Sequence, residues 1–133
     1  MDLGTGSGIL AIAVLKLGAR SVKALEIDPE AARVALQKCR LNGVGQGVES
    51  INDSLSSLSP ETFGLMVANL TLEEILPLLP AVVPHLVPSR GISFFSGILR
   101  KEMGALRAAL GTAGLLLTEL ELQSERVGLG AKR

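Results

Sequence analysis

Asp2-Leu3-Gly4-Thr5-Gly6-Ser7-Gly8 is the stretch that decides the fold, together with the apolar run that follows it from Ile9 to Leu17. Glycines at alternate positions let the chain turn sharply from a strand into a helix. They also let a ligand approach the main chain with no Cβ in the way. Gly4, Gly6 and Gly8 are therefore candidate ligand-binding positions. A dinucleotide fingerprint would need G-x-G-x-x-G, whose last glycine allows tight helix–strand packing. That spacing fails at Ile9 counted from Gly4 and at Ala11 counted from Gly6, which argues against a nicotinamide-linked oxidoreductase.

Outward from the loop, helical and strand-like segments alternate. The helix from Ile9 to Leu17 is ended by Gly18, and Ser21 to Ile27 reads as a strand. Pro29 suits a first helical position, and the helix it opens runs to Leu41, where Asn42-Gly43 stops it. Gly47 to Ile51 predicts a weak strand and Phe63 to Ala68 a better one. Thr71 opens a helix with Glu73 and Glu74 in its first turn, complementing the dipole. Pro77, Pro80 and Pro84 predict that this helix is kinked or segmented on its way to Val87. Gly91 to Phe95 is a strand. Leu99 to Ala113 is an amphipathic helix, with Met103, Leu106, Leu110 and Ala113 on one face. Leu115 to Leu122 and Arg126 to Ala131 close the chain as a hairpin.

This alternation implies an α/β fold with a mostly parallel, doubly wound sheet and an antiparallel C-terminal hairpin. A glycine loop of this type ordinarily follows a buried strand of about five residues. Only Met1-Asp2-Leu3 precede it, so the first strand is expected to be shortened and the chain to begin within the fold.

Composition narrows the function classes. A length of 133 residues suits one domain, 1–133. Thirteen basic and thirteen acidic residues balance, so no broad field points to nucleic acid or to an anionic membrane. Aromatic content is 2%, with no Trp or Tyr, too little for a base-stacking surface. Hydrophobic content of 47% and a mean hydropathy of +0.43 predict elements buried on both faces, or exposed apolar surface through which a homodimer would form. The longest apolar stretch, Ile75 to Val87, holds three prolines and His85 and falls short of the ~18–20 residues of a membrane span. No secretory-leader pattern is present. The single cysteine, Cys39, can form no internal disulfide; it fits a reducing cytoplasm and reads as a small core hydrophobe. No His, Cys, Asp and Glu cluster has metal-ligand spacing, so no metal is expected, and the lone His85 reads as structural or solvated.

Three further positions bear chemistry. Glu26 ends the second strand about 20 residues after the loop, where an acid can accept hydrogen bonds from two ribose hydroxyls, the other reading being a surface carboxylate at a strand end. Asp28 beside Pro29 reads instead as a helix cap. Asp53 follows the third strand, where in this fold an acid meets an adenine amino group, although a plain loop aspartate reads equally well there. Asn69 ends the fourth strand, and carboxyl ends of parallel strands form the ligand crevice. Its carbonyl can orient an incoming amine, and its side chain can also cap the next helix.

With these residues in place, the D-x-G-x-G-x-G pattern resembles motif I of Rossmann-like class I S-adenosylmethionine-dependent methyltransferases. Over nearly its whole length the chain resembles the PrmA family, which methylates large-subunit ribosomal protein eleven. The anchors are Asp2 to Ala13, Glu26-Ile27-Asp28-Pro29-Glu30-Ala31, Leu41-Asn42-Gly43-Val44, Val67-Ala68-Asn69-Leu70 and Ser96-Gly97-Ile98-Leu99. The resemblance implies methyl transfer from S-adenosylmethionine to lysine and N-terminal amines of a cytoplasmic ribosomal protein substrate. On it, Asp2, Gly4, Thr5, Gly6, Gly8, Glu26, Asp53 and Asn69 are cofactor-binding, and Asn69 is also the catalytic candidate. It implies an N-terminal substrate-recognition domain that is not in this sequence. The chain departs from the family's pattern at Gly64, at Pro77 and Pro84, and at Arg126, which stands where the family carries Trp. The other reading is a non-catalytic fragment that binds the cofactor or a protein partner.

Overall fold

Val22-Lys23-Ala24-Leu25 is a short run of small and branched apolar residues with one lysine, the composition of a strand enclosed on both faces. In the computed structural model, which describes all 133 residues, this run is the middle strand of the first of two units, Met1–Ser57 and Leu58–Arg133.

In the first unit, β1 (Asp2–Leu3), β2 (Val22–Leu25) and β3 (Val48–Ile51) alternate with α1 (Ile9–Lys16) and α2 (Pro29–Leu41). β2 pairs in parallel with β1, in the register Asp2 to Ala24, and with β3, in the register Val22 to Val48. Parallel neighbours need long crossovers, and the two helices supply them. Ala11, Val22, Ala24 and Cys39 form the buried core, with Ile12, Val14, Leu15, Ala19, Val44 and Val48 packed against it. Burial, and then the Asp2 charge, hold the Cys39 thiol above its ordinary range, so it is a core hydrophobe and no nucleophile. Asp28 caps α2 by accepting the Glu30 N–H at 2.9 Å, and Pro29 takes the first helical position.

In the second unit the strand order is β4 (Leu65–Asn69), β5 (Ile92–Leu99), β7 (Arg126–Lys132) and β6 (Leu116–Gln123). β4 and β5 are parallel, and β6 and β7 form the antiparallel hairpin that ends the chain. α3 (Leu72–Val82) and α4 (Met103–Thr112) complete the unit. Phe95, Ile98, Leu129, Val127, Leu79, Leu106 and Leu110 are buried to 2% exposure or less.

Two expectations are corrected here. Pro77 and Pro80 do not divide α3, which runs from Leu72 to Val82; the expected segmentation falls only at Pro84, where a 3-10 turn takes over at Val83–His85. Ile75, Leu79 and Val82 form the buried stripe, while both prolines and the residues whose carbonyls they strand, Glu73 and Leu76, face outward. On an outward face solvent can take the place of the missing donors, so the prolines cost little order. The start is also firm: Thr71 and Glu74 make a reciprocal capping box. The second correction is β5, which runs on to Leu99 because a bulge after Phe95 absorbs Ser96 and Gly97 without ending the strand.

Candidate functional site

The glycine loop of the first unit needs its glycines for backbone reasons. Gly4, Gly6 and Gly8 have φ of 67°, 51° and 79°, a region that side chains with a Cβ rarely adopt. At Gly8 a Cβ would also stand 3.1 Å from the backbone of Ala35 on α2, so this glycine sets how closely loop and helix approach.

Asp2 ties the loop to the helix it opens. Its Oδ2 accepts the Thr5 hydroxyl at 2.6 Å and the Ala11 N–H at 3.0 Å. Gly8 has no side chain with which to cap α1, so Asp2 performs that duty from the strand end. The residue is fully buried, and its Oδ1 has no hydrogen-bond partner. Burial pushes the Asp2 carboxyl above the ordinary carboxylate range, against the opposing pull of the Thr5 hydroxyl and the Ala11 N–H. Thr5 is itself buried, and its N–H donates to the Leu25 carbonyl at 2.9 Å.

Glu26 follows β2 directly and closes on the same loop. Its Oε2 accepts the Gly6 N–H at 2.9 Å, and its Oε1 accepts the Asp28 N–H at 3.2 Å. Its own N–H donates to the Ile51 carbonyl at 3.0 Å. Each carboxylate oxygen keeps a second lone pair for an incoming hydroxyl, so a vicinal diol fits this held carboxylate. Asn52 belongs to no motif in the sequence, yet it shapes the site. Its Nδ2 donates to the carbonyls of Glu26 (2.8 Å) and Ile27 (3.1 Å), fixing the turn that presents Glu26. The only signal was an amide at a strand end beside an acid.

Asp53 lies next to Asn52 in an exposed loop, and its Oδ1 accepts the N–H of Ser54 at 2.7 Å. The structure thus brings Asp2, Gly4, Thr5, Gly6, Gly8 and Glu26 into one bonded cluster and leaves Asp53 on the loop after β3. In the second unit, Asn69 ends β4, is exposed, and pairs with Ser96 of β5. Thr71, not Asn69, caps α3, which leaves the Asn69 carboxamide free of that duty. His85 Nδ1 lies 2.9 Å from the Glu61 carbonyl, well placed to donate to it as a structural group. A cleft of about 550 Å³ lined by Leu99, Arg100, Lys101, Ser124 and Glu125 contains none of the predicted residues.

Comparison with known proteins bears on the whole chain. The family model described as ribosomal protein L11 methyltransferase (PrmA) matches residues 1–133. A ribosomal protein L11 methyltransferase of Pelobacter propionicus is 38% identical over 133 residues, covering all of this chain and 42% of that protein. The chain therefore spans about two-fifths of the length of such relatives. The crystal structure of a ribosomal protein L11 methylase from Lactobacillus delbrueckii subsp. bulgaricus superposes with a TM-score of 0.93 at 36% identity, over 99% of this chain and 67% of that one. Magnesium protoporphyrin IX methyltransferase from Synechocystis PCC 6803, solved with bound SAM, matches at TM-score 0.80 and 19% identity over 99% of this chain and 68% of that one, a likeness of fold. The fold is thus the Rossmann-like α/β fold of class I methyltransferases.

Proposed function

This chain belongs to the ribosomal protein L11 methyltransferase (PrmA) family, and from that premise we propose that residues 1–133 are the S-adenosylmethionine-binding part of a protein amine methyltransferase. The observation that carries the reading is the 2.9 Å bond from the Gly6 N–H to Glu26 Oε2, which joins the glycine loop and the acid into one site.

The residues present fit the cofactor's chemistry. Glu26 accepts the two ribose hydroxyls with the lone pairs its present donors leave open. The bare Cα atoms of Gly4 and Gly6 admit the amino-acid end against the backbone, and Asp2 with Thr5 holds the loop in that shape. Asp53 is assigned to the adenine amino group. When bound, the sulfonium supplies an electrophilic methyl group. Asn69 accepts an N–H of the incoming amine through its carboxamide oxygen, which orients the nitrogen lone pair. The amine must be neutral to attack, and water takes up its proton afterwards, so no dedicated base is required. His85, held at the Glu61 carbonyl, is not assigned one.

The acceptor is a lysine or N-terminal amine of a ribosomal protein, and a reducing cytoplasm suits the lone thiol. No helix is long and apolar enough to cross a membrane. Exposed Leu116, Leu120 and Leu122 on β6 offer an apolar surface for a homodimer. A second reading is cofactor or protein binding without catalysis.

Calorimetric titration of the purified chain with S-adenosylhomocysteine, beside Glu26→Ala, tests the proposal. Saturable binding that weakens at least tenfold in the variant is expected, since two charge-assisted hydrogen bonds are lost. A folded chain that binds nothing would overturn it. Binding without transfer of label to ribosomal protein L11 would favour the second reading.

A further inference from the structure

The strand that flanks Asn69 is bulged, and the bulge bears on the carboxamide. Ser96 pairs with Asn69 across the β4–β5 ladder. On the other side of β5 the register steps from Phe95–Leu129 to Ile98–Val127, so Ser96 and Gly97 together face Gly128. Gly97 has φ of 92°. A Cβ there would stand 2.6 Å from Asn69 Oδ1 and 2.8 Å from the Leu70 carbonyl oxygen. The Asn69 oxygen therefore rests in space that only a glycine leaves open.

Both peptide units around that glycine are held. The Leu70 N–H donates to the Ser96 carbonyl at 3.0 Å. Arg126 Nη1 donates to the Gly97 carbonyl at 2.8 Å. Arg126 is exposed, begins β7 and sits opposite Leu99. A glycine has more backbone freedom than any other residue, so the surface of Asn69's seat is only as fixed as the carbonyls beside it. The guanidinium is always charged, and its planar donors make a charge-assisted bond to a neutral carbonyl.

We propose that Arg126 is a positioning residue for Asn69: by fixing the Gly97 carbonyl it fixes the bare Cα against which the Asn69 carboxamide oxygen rests. The inference rests on the reading of Asn69 as the group that orients the amine. Arg126 touches neither the cofactor site nor the amine and acts through one peptide unit. Its loss lets the Gly97 peptide rotate and spreads the carboxamide over orientations of which few are productive.

The test is made on the full chain labelled with ¹⁵N, reading the Asn69 side-chain amide resonances, which Asn69→Asp identifies by their disappearance. Arg126→Ala should shift or broaden them, and Arg126→Lys, which keeps a charged donor on a flexible stem, should restore part of the change. The amide resonances of the Gly4–Gly8 loop and the affinity for S-adenosylhomocysteine should stay within twofold of the unsubstituted chain. In the transfer assay kcat should fall by about tenfold with the KM for cofactor unchanged, a split that general destabilisation does not produce. Gly97→Ala should displace the same resonances by direct overlap. Should Arg126→Ala unfold, Arg126→Gln gives the same readout. Asn69 resonances unmoved in Arg126→Ala, or in Arg126→Gln should the alanine variant unfold, while Gly97→Ala moves them, would overturn the proposal. If they move but the unsubstituted chain binds no S-adenosylhomocysteine, the positioning stands and the cofactor reading fails.

Discussion

At the scale of single residues the site divides between groups that meet a ligand and groups that hold them. Glu26 is proposed to be of the first kind, with Asn52 behind it at 2.8 Å from its carbonyl. Asp2 belongs to the second on the geometry seen here: it is buried, and Oδ2 is spent on Thr5 and Ala11. That burial has a pH signature. The folded carboxyl titrates above the unfolded one, so its stabilising form is the protonated one. The stability it contributes is full below the ordinary carboxylate range and is lost as pH rises through the raised folded value. Paired melting curves of the chain and Asp2→Asn between about pH 4 and pH 8 should therefore show the parent losing ground to the variant as pH rises. Other carboxylates titrate in both proteins and cancel. A difference that does not change with pH would mean that Asp2 titrates as it does unfolded.

At the scale of elements, α3 is the one whose sequence and structure disagree most. Its stripe of Ile75, Leu79 and Val82 is a regular helical face, and the capping box at Thr71 and Glu74 starts it firmly. The Thr71 N–H and hydroxyl hold the Glu74 carboxylate below its ordinary range, as a capping acid should be held. Pro77 lies in the helix interior on the exposed side, where it removes a donor to the Glu73 carbonyl. Alanine there restores that donor, a gain set against the chain entropy that proline removes from the unfolded state. Pro77→Ala should stabilise the chain by about 1–2 kcal/mol in chemical denaturation. A loss of stability instead would show that the proline's restriction of the unfolded chain outweighs the missing donor.

At the scale of the whole molecule, the candidate site residues are unevenly shared. Asp2, Gly4, Thr5, Gly6, Gly8, Glu26 and Asp53 all belong to Met1–Ser57, and Asn69 alone belongs to Leu58–Arg133. A ligand that binds the folded state alone stabilises it by about 2.7 kcal/mol at a hundred times its Kd. Hydrogen exchange with and without S-adenosylhomocysteine should show slowed amides around residues 4–12, 24–28 and 50–55, and little change in β6 and β7. Protection concentrated in the C-terminal hairpin instead would place the ligand elsewhere.

How much of this was legible in the chain follows from the range of the interactions involved. Positive φ at Gly4, Gly6 and Gly8, the Asp28 cap, the stop at Asn42-Gly43 and the start at Thr71 are local, set by residues within a turn of one another, and the sequence alone determined them. The order of alternating elements, and with it the parallel pairing and the closing hairpin, was legible for the same reason. The rest depended on partners far along the chain. Asn52 reaches a carbonyl 26 residues away, and Arg126 one 29 residues away. The bulge at Ser96 and Gly97 exists because β5 must keep register with β7, and Pro77 is tolerated because packing turned its face to water. Local sequence carries backbone preference, whereas register and exposure are properties of the assembled sheet and its helices. The tertiary structure alone decided which side chains reach the backbone beside Glu26 and Asn69.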